Sequence, residues 1–390
     1  MATIGWPCSV EVTLADERGA PGTWHALLLR MAGVVPDDLL SEARTWLAAG
    51  ESGDVAQALV FAVVAGQFPV TEAEADLLIQ ELAATGQGLE TMPDLMVADE
   101  DQFTSDSWSF VPVPVDDAQS VQQAPVMLDL TIDPAGLAAL DQIDQAGVDA
   151  AARESSVSAL WRAWRLPSDG SPWPRARRVF VVTVQPDHDD DELPALTSRL
   201  QEALSVAGET DPQVEVCCEH LPVPDYQSSA CAHAALLWAD EPAVPIQIAR
   251  VFDSVDPEFG PVFDESHPLI SDREEVRRLL EYLESALPVL TTSTTMEDIL
   301  DPERPRSVPL SFRTDGQWIW TDTIGYYLER YALAPEDDLL AHLRSAPTVP
   351  PTVSEVALHR VLSFLQRPDD TEPAWVVPEM GAAESNSVSR

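Results

Sequence analysis

The amino-acid sequence predicts an α+β protein: an N-terminal helical bundle or short helical-hairpin array, followed by a mixed, mainly antiparallel α+β domain. Apolar residues recur at helical spacing through residues 1–95. Beyond residue 126 the order strand, helix, strand, strand departs from the regular alternation of a doubly wound sheet. Hydrophobic residues make up 45% of the 390-residue chain, which is enough to bury a core.

Residues 1–95 are predicted to form the helical domain. Helical spacing runs through Trp24–Val35, and Pro36–Gly50 opens with a proline and two acids, as helix starts often do. Asp54–Gly66 is apolar nearly all round, which predicts a buried helix. Thr71 and Glu74 have the spacing of a capping box for the next helix.

The rest of the chain divides into four parts. Residues 96–125 are acidic and contain prolines, which predicts a linker, and 126–346 form the α+β domain. Residues 347–377 include a C-terminal helix, and the small polar residues of 378–390 predict a disordered tail. Within 126–346 we predict helices over about 134–165, 192–206 and 272–286, and strands over 126–132, 178–184, 213–220, 230–238 and 246–252, with 213–220 and 230–238 forming an antiparallel pair.

Charge excludes several function classes. The chain has 66 Asp and Glu against 22 Lys and Arg, a net charge of -44. Such a surface repels nucleic-acid phosphates and anionic membranes, so we expect neither direct nucleic-acid binding nor membrane insertion. The N-terminus lacks the pattern of a signal peptide, and no apolar run is long enough to span a bilayer, so we expect a cytoplasmic protein.

All of the basic residues are arginines, and the chain contains no lysine. A GC-rich genome with acidic drift explains this composition, as does selection against an acceptor amine. In either case, Walker A phosphate binding through lysine and Schiff-base catalysis are excluded. The sequence also lacks the serine-hydrolase elbow, the zincin motif and the dinucleotide-binding glycine motif.

The segment around Asp315-Gly316 is the best local candidate for a binding face, because this dipeptide predicts a two-residue hairpin turn. The turn pairs Arg313 with Trp318 and places Trp320 on the same face. Arginine over tryptophan is worth about 0.5–1 kcal/mol, and both residue types are common in binding hot spots. The alternative is that the following helix, about Thr321–Tyr331, covers this face.

An acidic run, Asp187, Asp189, Asp190 and Asp191, follows the strand that ends at Val184. Carboxylates at a strand end can hold a hard cation, although the run departs from the EF-hand pattern. They can also cap the following helix, or contact a basic partner. All three interpretations remain open from the sequence.

Two further clusters contain residue types that can carry chemistry. Cysteine and histidine alternate on the two predicted strands of the antiparallel pair, at Cys217, Cys218, His220, Cys231 and His233, but their spacing matches no common zinc module. The four cysteines form no disulfide framework. Since neither the Cys/His spacing nor the acidic run matches a common metal motif, we expect no metal and no cofactor.

The only basic patch interleaves arginine with tryptophan over Trp161–Arg165 and Trp173–Arg178. Such a patch can bind single-stranded nucleic acid or an anion. The acidic surroundings favour ion pairs within the chain, with Arg162 and Arg165 at a helix C-terminus.

Several stretches have a residue order found in known proteins, among them Gln247–Asp253, Val289–Thr292, Val308–Trp320 and Tyr326–Leu328. They resemble uncharacterised acidic proteins of actinobacteria, including a mycobacterial conserved hypothetical protein encoded in a type VII secretion locus. The resemblance covers about residues 175–345 and, more faintly, the helical N-terminal part. It implies that the gene lies near genes of secretion or toxin systems, and it implies no catalytic residues.

We therefore expect a non-enzymatic acidic protein that binds a basic protein partner, as a toxin-immunity protein or a type VII secretion escort would. Its expected contacts are Arg313, Trp318, Trp320 and the acidic run. One alternative is a nucleic-acid mimic that inhibits a DNA-binding protein. The other is a metal-dependent hydrolase that uses the acidic run or the Cys/His strands. The sequence does not predict the oligomeric state.

Overall fold

The computed structural model describes residues 19–85, 95–99, 107–115, 121, 123–132, 136, 138, 140–171, 173–218, 223–256 and 260–366. These residues form helices and mixed sheets, which confirms the predicted α+β class. They divide into two compact units: the residues up to Ile246 together with Val353–Gln366, and Gln247–Thr352.

The first unit begins with the expected helices. They are α1 (Pro21–Arg30), α2 (Asp37–Ala48), α3 (Ser52–Gly66) and α4 (Glu72–Ala84). The capping box at the start of α4 is confirmed, since Thr71 Oγ1 accepts from Glu74 N and the Glu74 carboxylate accepts from Thr71 N. The remaining elements are β1 (Trp108–Val111), β2 (Leu128–Asp129), α5 (Gln142–Ala151), β3 (Val157–Pro167), β4 (Arg177–Val184), α6 (Leu193–Val206), β5 (Gln213–Cys218), α7 (Asp225–Ala232), β6 (Ala235–Ala239) and, later in the chain, α11 (Glu355–Leu365).

Six strands form one sheet in the order β2-β6-β3-β4-β5, with β1 also paired to β3. The long central strand β3 is antiparallel to β1, β4 and β6, whereas β4 pairs with β5, and β2 with β6, in parallel. Helix α6 connects β4 to β5, as a parallel neighbour requires. Consequently β4, β5 and β6 all end at the same edge of the sheet, which we call the carboxyl edge.

Helices cover both faces of this sheet. Trp161 and Val181 face one core, which contains residues of α1–α4, α7 and α11. Leu160 and Val182 face the other core, with α5 and α6. The division of the chain therefore differs from the predicted one: the helices of 1–95 share a core with the sheet, and part of the predicted linker is strand β1. The division falls instead inside 126–346, between Ile246 and Gln247.

The second unit is smaller. Its elements are β7 (Gln247–Ile248), β8 (Ser254–Asp256), β9 (Gly260–Val262), α8 (Arg273–Ser285), β10 (Leu287–Leu290), β11 (Thr295–Met296), β12 (Val308–Pro309), β13 (Phe312–Thr314), β14 (Trp318–Thr321), α9 (Asp322–Tyr331) and α10 (Asp337–Ser345). Four of these strands form the main sheet, in the order β10-β13-β14-β7. The predicted C-terminal helix is α11 in the first unit, and the predicted tail 378–390 lies outside the described residues.

Two predictions for the region 126–246 are wrong. The segment predicted as a helix over 134–165 ends in strand β3, which is buried on both faces and so lacks a polar side to reveal its alternation. The pairing of 213–220 with 230–238 does not form, because β5 pairs with β4. Cys231 lies on helix α7, and only Ala235–Ala239 of the second segment is strand.

Two local predictions also need correction. The hairpin loop has four residues, because Thr314 pairs with Ile319 and Arg313 pairs with Trp320. The Asp315 carboxylate closes this longer loop by accepting from the backbone N–H groups of Gln317 and Trp318. Helix α3 is only half buried, since its Phe61 side chain is 76% exposed.

Candidate functional site

The carboxyl edge of the first-unit sheet carries the acidic run. Strand β4 ends at Val184, and the run begins three residues later. A short 3₁₀ turn, Asp190–Glu192, then leads into α6. Ligands commonly bind at this edge in sheets with parallel strands, so the placement of the acids is informative.

Each carboxylate near the turn has a different role. The Asp189 carboxylate caps the turn by accepting from Asp191 N at 3.1 Å. Asp190 Oδ1 lies 3.2 Å from the Cys218 thiol, which donates to it. Asp191 Oδ1 accepts from Gly22 N at 3.1 Å, close to the start of α1. Asp187, Asp189 and Asp191 are exposed, so capping and solvent exposure occur together in this run.

Glycine is required where α1 approaches the turn. A Cβ atom on Gly22 would lie 2.8 Å from the Cβ of Asp190, with backbone atoms of Asp190 at 3.3 Å. This contact is closer than real Cβ atoms make. Gly22 therefore lets the first turn of α1 pack against the acidic run and donate its N–H to Asp191.

A buried histidine lies beneath this edge. His25 on α1 is buried, and its Nε2 lies 2.8 Å from the backbone oxygen of Val216 on β5. The pKa of His25 is lowered from 6.5 to about 4, chiefly by burial; the nearby Arg44 also lowers it, whereas the Val216 hydrogen bond and Asp190 act in the opposite direction. His25 is therefore neutral near pH 7 and donates its Nε2 proton to Val216.

The three described cysteines line a small cleft with a volume of about 20 Å³. Burial raises the pKa of Cys217 and of Cys231 well above the ordinary value. Both thiols are therefore protonated, and protonated thiols are poor nucleophiles and poor metal ligands. The cleft is lined by Val181, Thr183, Cys217, Cys218, Val223, Ser228, Cys231 and Glu355.

The predicted Cys/His cluster is not assembled as expected. Cys231 and the residue His233 lie on and after helix α7 rather than on a strand beside β5, and His220 lies outside the described residues. Within the described part of the chain, no group of three His, Cys, Asp or Glu side chains is arranged to hold a metal ion. The acidic run therefore forms no such metal-binding group.

The predicted aromatic face of the hairpin is internal. Trp318 and Trp320 are 4% and 1% exposed, and they pack in the core of the second unit with residues of α8, α9 and α10. Arg313 lies beside this core, where its Nε donates to Asp322 at 2.6 Å and its Nη1 donates to two backbone oxygens at the end of α8. Helix α9 thus covers the hairpin, as the alternative interpretation expected.

A buried carboxylate links the hairpin loop to two helices. Asp315 Oδ2 accepts from the Tyr282 hydroxyl on α8 at 2.8 Å and lies 2.6 Å from His342 Nε2 on α10. Burial, followed by the hydrogen bond to Asp315, raises the pKa of Tyr282 above its usual range. Sequence reasoning used Asp315 only as a turn former. Nothing in the local sequence around Asp315, four residues before the buried Ile319, indicates that Tyr282 and His342 are its partners.

The basic patch is used for internal ion pairs, which confirms that part of its interpretation. On β3, Arg162 pairs with Asp144 at 3.1 Å and Arg165 pairs with Asp37 at 2.6 Å. The guanidinium of Arg165 also lies 4.2 Å from the ring centre of Trp108. These arginines lie on a central strand and not at a helix C-terminus, so that detail of the prediction is wrong.

Internal pairing extends to most of the described arginines. A carboxylate lies within 4.0 Å of the guanidinium of each of these residues: Arg30, Arg44, Arg162, Arg165, Arg177, Arg178, Arg199, Arg250, Arg277, Arg304, Arg313, Arg330, Arg344 and Arg360. Because the acids outnumber the arginines threefold, many carboxylates keep no cationic partner. The solvent-facing charge is therefore strongly negative.

Comparison with known proteins adds no assignment: no family model, curated protein or solved structure matches the chain. Among the helices in the described ranges, none combines the length and apolar character needed to cross a bilayer.

Proposed function

We propose that this chain is a non-enzymatic acidic protein that binds a basic protein partner. The observation that supports the proposal is the separation of charge described above. Most of the described arginines are engaged in internal ion pairs, whereas many carboxylates without a cationic partner face solvent. A strong field of one sign speeds the encounter with an oppositely charged protein, and salt weakens that effect.

The acidic run is the part of the predicted contact surface that this proposal keeps. Asp187, Asp189 and Asp191 are exposed at the carboxyl edge, where a short turn and α1 hold the backbone in place. Trp318 and Trp320 would need the second core to open before they could touch a partner, so we leave them out of the proposed contact. Toxin immunity and escort in type VII secretion, both in the cytoplasm, are the settings that the sequence resemblance suggests.

The test compares two triple variants with equal net charge. One variant, D187N/D189N/D191N, neutralises the exposed acids of the run. The matched control, E202Q/E284Q/E329Q, neutralises three exposed acids elsewhere. A partner captured from native lysate at low salt and identified by mass spectrometry is then purified, and its association rate with each variant is measured across a salt series.

We expect the run variant to slow association severalfold more than the control, with a weaker salt dependence. Equal rates for the two variants would remove the acidic run from the contact. Capture of no basic protein at low salt would contradict the proposed function itself. Capture of a DNA-binding protein through its DNA site would favour the nucleic-acid mimic instead.

A further inference from the structure

Helix α3 exposes large apolar side chains in the first unit. Its inner face, with Val55, Leu59 and Val63, is buried in the core between α2 and α4. On the outer face, Phe61 is 76% exposed and Val64 is 41% exposed. A phenylalanine this exposed on a regular helix gains little from folding, because most of its ring stays in water.

The helices α2, α3 and α4 expose charged side chains of a single sign. Residues 37–85 contain one basic side chain, Arg44, and it is buried in an ion pair with Glu215 at 2.6 Å. Asp54 lies seven residues before Phe61 and therefore on the same side of α3. Further exposed acids on or beside α2, α3 and α4 are Asp38, Glu42, Glu51, Glu72 and Asp76.

We call Phe61, Val64 and these exposed acids the α3 face. Protein-binding surfaces usually combine an apolar centre with a rim of charged residues, and the exposed charged side chains of α3 and of the two helices packed against it, α2 and α4, are all acidic. An acidic or neutral partner would bring no positive charge to pair with these carboxylates. The complementary surface is one that presents a large apolar side chain among arginines or lysines.

From this arrangement we infer that the α3 face binds an amphipathic, basic helix of the partner protein. A helix fits because Phe61 and Val64 lie one turn apart along α3, a spacing that apolar residues of a second helix match at every turn. This inference rests on the proposed function and adds a site and a partner chemistry to it. The apolar anchor provides affinity, and the acidic rim provides orientation and a fast encounter.

The experiment uses the full chain and a defined probe. The probe is a fluorescein-labelled 18-residue peptide of leucine and lysine with helical amphipathic spacing, and its control is a shuffled peptide of the same composition. Fluorescence anisotropy measures the Kd of each for the natural chain, for F61S and F61S/V64S, and for V206S. Val206 on α6 is 83% exposed in the same unit, so V206S controls for the loss of an exposed apolar residue.

We expect the amphipathic peptide to bind more tightly than the shuffled one, and F61S to weaken its binding by about tenfold. V206S should leave the Kd unchanged. Circular dichroism should show that F61S folds normally, because its side chain makes little contact with the core. Equal affinity of the natural chain and F61S/V64S would overturn the inference and reduce the interaction to general electrostatic attraction.

The inference and the proposed function can fail separately. If a captured basic partner binds in a salt-sensitive way but does not respond to F61S, the α3 face is the wrong site and the function stands. If sedimentation shows a dimer that F61S dissociates, the face joins two copies of this chain, and the inference is overturned. If neither a natural partner nor the peptide binds, both fail.

Discussion

Replacing His25 with glutamine should make the first unit less sensitive to acid. The side chain is enclosed between α1 and β5, and its pKa of about 4 lies below the ordinary 6.5. The unfolded chain therefore binds a proton in the range between these values that the folded chain excludes. The His25 contribution to stability is complete above pH 6.5 and is lost as the pH falls toward 4.

The pKa difference fixes the size of this effect. Each pKa unit corresponds to about 1.4 kcal/mol, so the full loss is about 3 kcal/mol at pH 4. Between pH 7 and pH 5 the same arithmetic gives about 2 kcal/mol. In H25Q the amide can still donate to Val216 O, and no imidazole remains to titrate. The buried His359 is present in both proteins, so its own acid sensitivity cancels in the comparison.

Urea-dependent hydrogen exchange, followed by mass spectrometry of peptides from α1 and β5, reports on this unit alone. The free energy of opening should fall between pH 7 and pH 5 by about 2 kcal/mol more in the natural chain than in H25Q. The absolute stability of H25Q at pH 7 does not enter the test. If both proteins lose the same free energy over this pH range, His25 is not held neutral, and the reasoning from burial is refuted.

Three further predictions follow from buried or capped groups. R44M alone should destabilise the first unit by about 3–5 kcal/mol in urea unfolding, because it leaves the buried Glu215 without its cationic partner, while R44M/E215M should recover most of the loss. Iodoacetamide should label Cys231 slowly in the native chain at pH 8 and rapidly in urea, as peptide mass spectrometry would show; fast native labelling would contradict the burial of this thiol. T71A should cost α4 about 1 kcal/mol of stability, because it removes one half of the capping box, whereas T85A at the other end serves as the control.

The helices were the most predictable part of the fold, because their signals are local. The capping box at Thr71 and the acidic start of α2 mark their own positions in the sequence. Strand β3 was missed for a nonlocal reason. Arg162 and Arg165 were assigned to the C-terminus of a helix, because the acids that neutralise them on β3, Asp144 and Asp37, lie 18 and 128 residues away in the chain.

The candidate site was predictable in one part only. A run of acids after a buried strand shows its position at a sheet edge, and the structure places the run there. The hairpin failed as an exposed face because pairing fixes which residues share a side and says nothing about what covers that side. Helix α9 begins one residue after β14 and folds over Trp318 and Trp320, a packing choice that no local pattern records.

The exclusive use of arginine has a physical consequence in this fold. A chain with three acids per base stays folded more easily if one cation can serve several carboxylates. Arg178 does so, with its guanidinium within reach of Asp141, Asp144 and Glu209. A lysine has one ammonium in place of the planar fork and could not hold this arrangement. Internal acids are thus neutralised by few residues, and the remaining carboxylates are left on the surface, where the proposed partner would meet them.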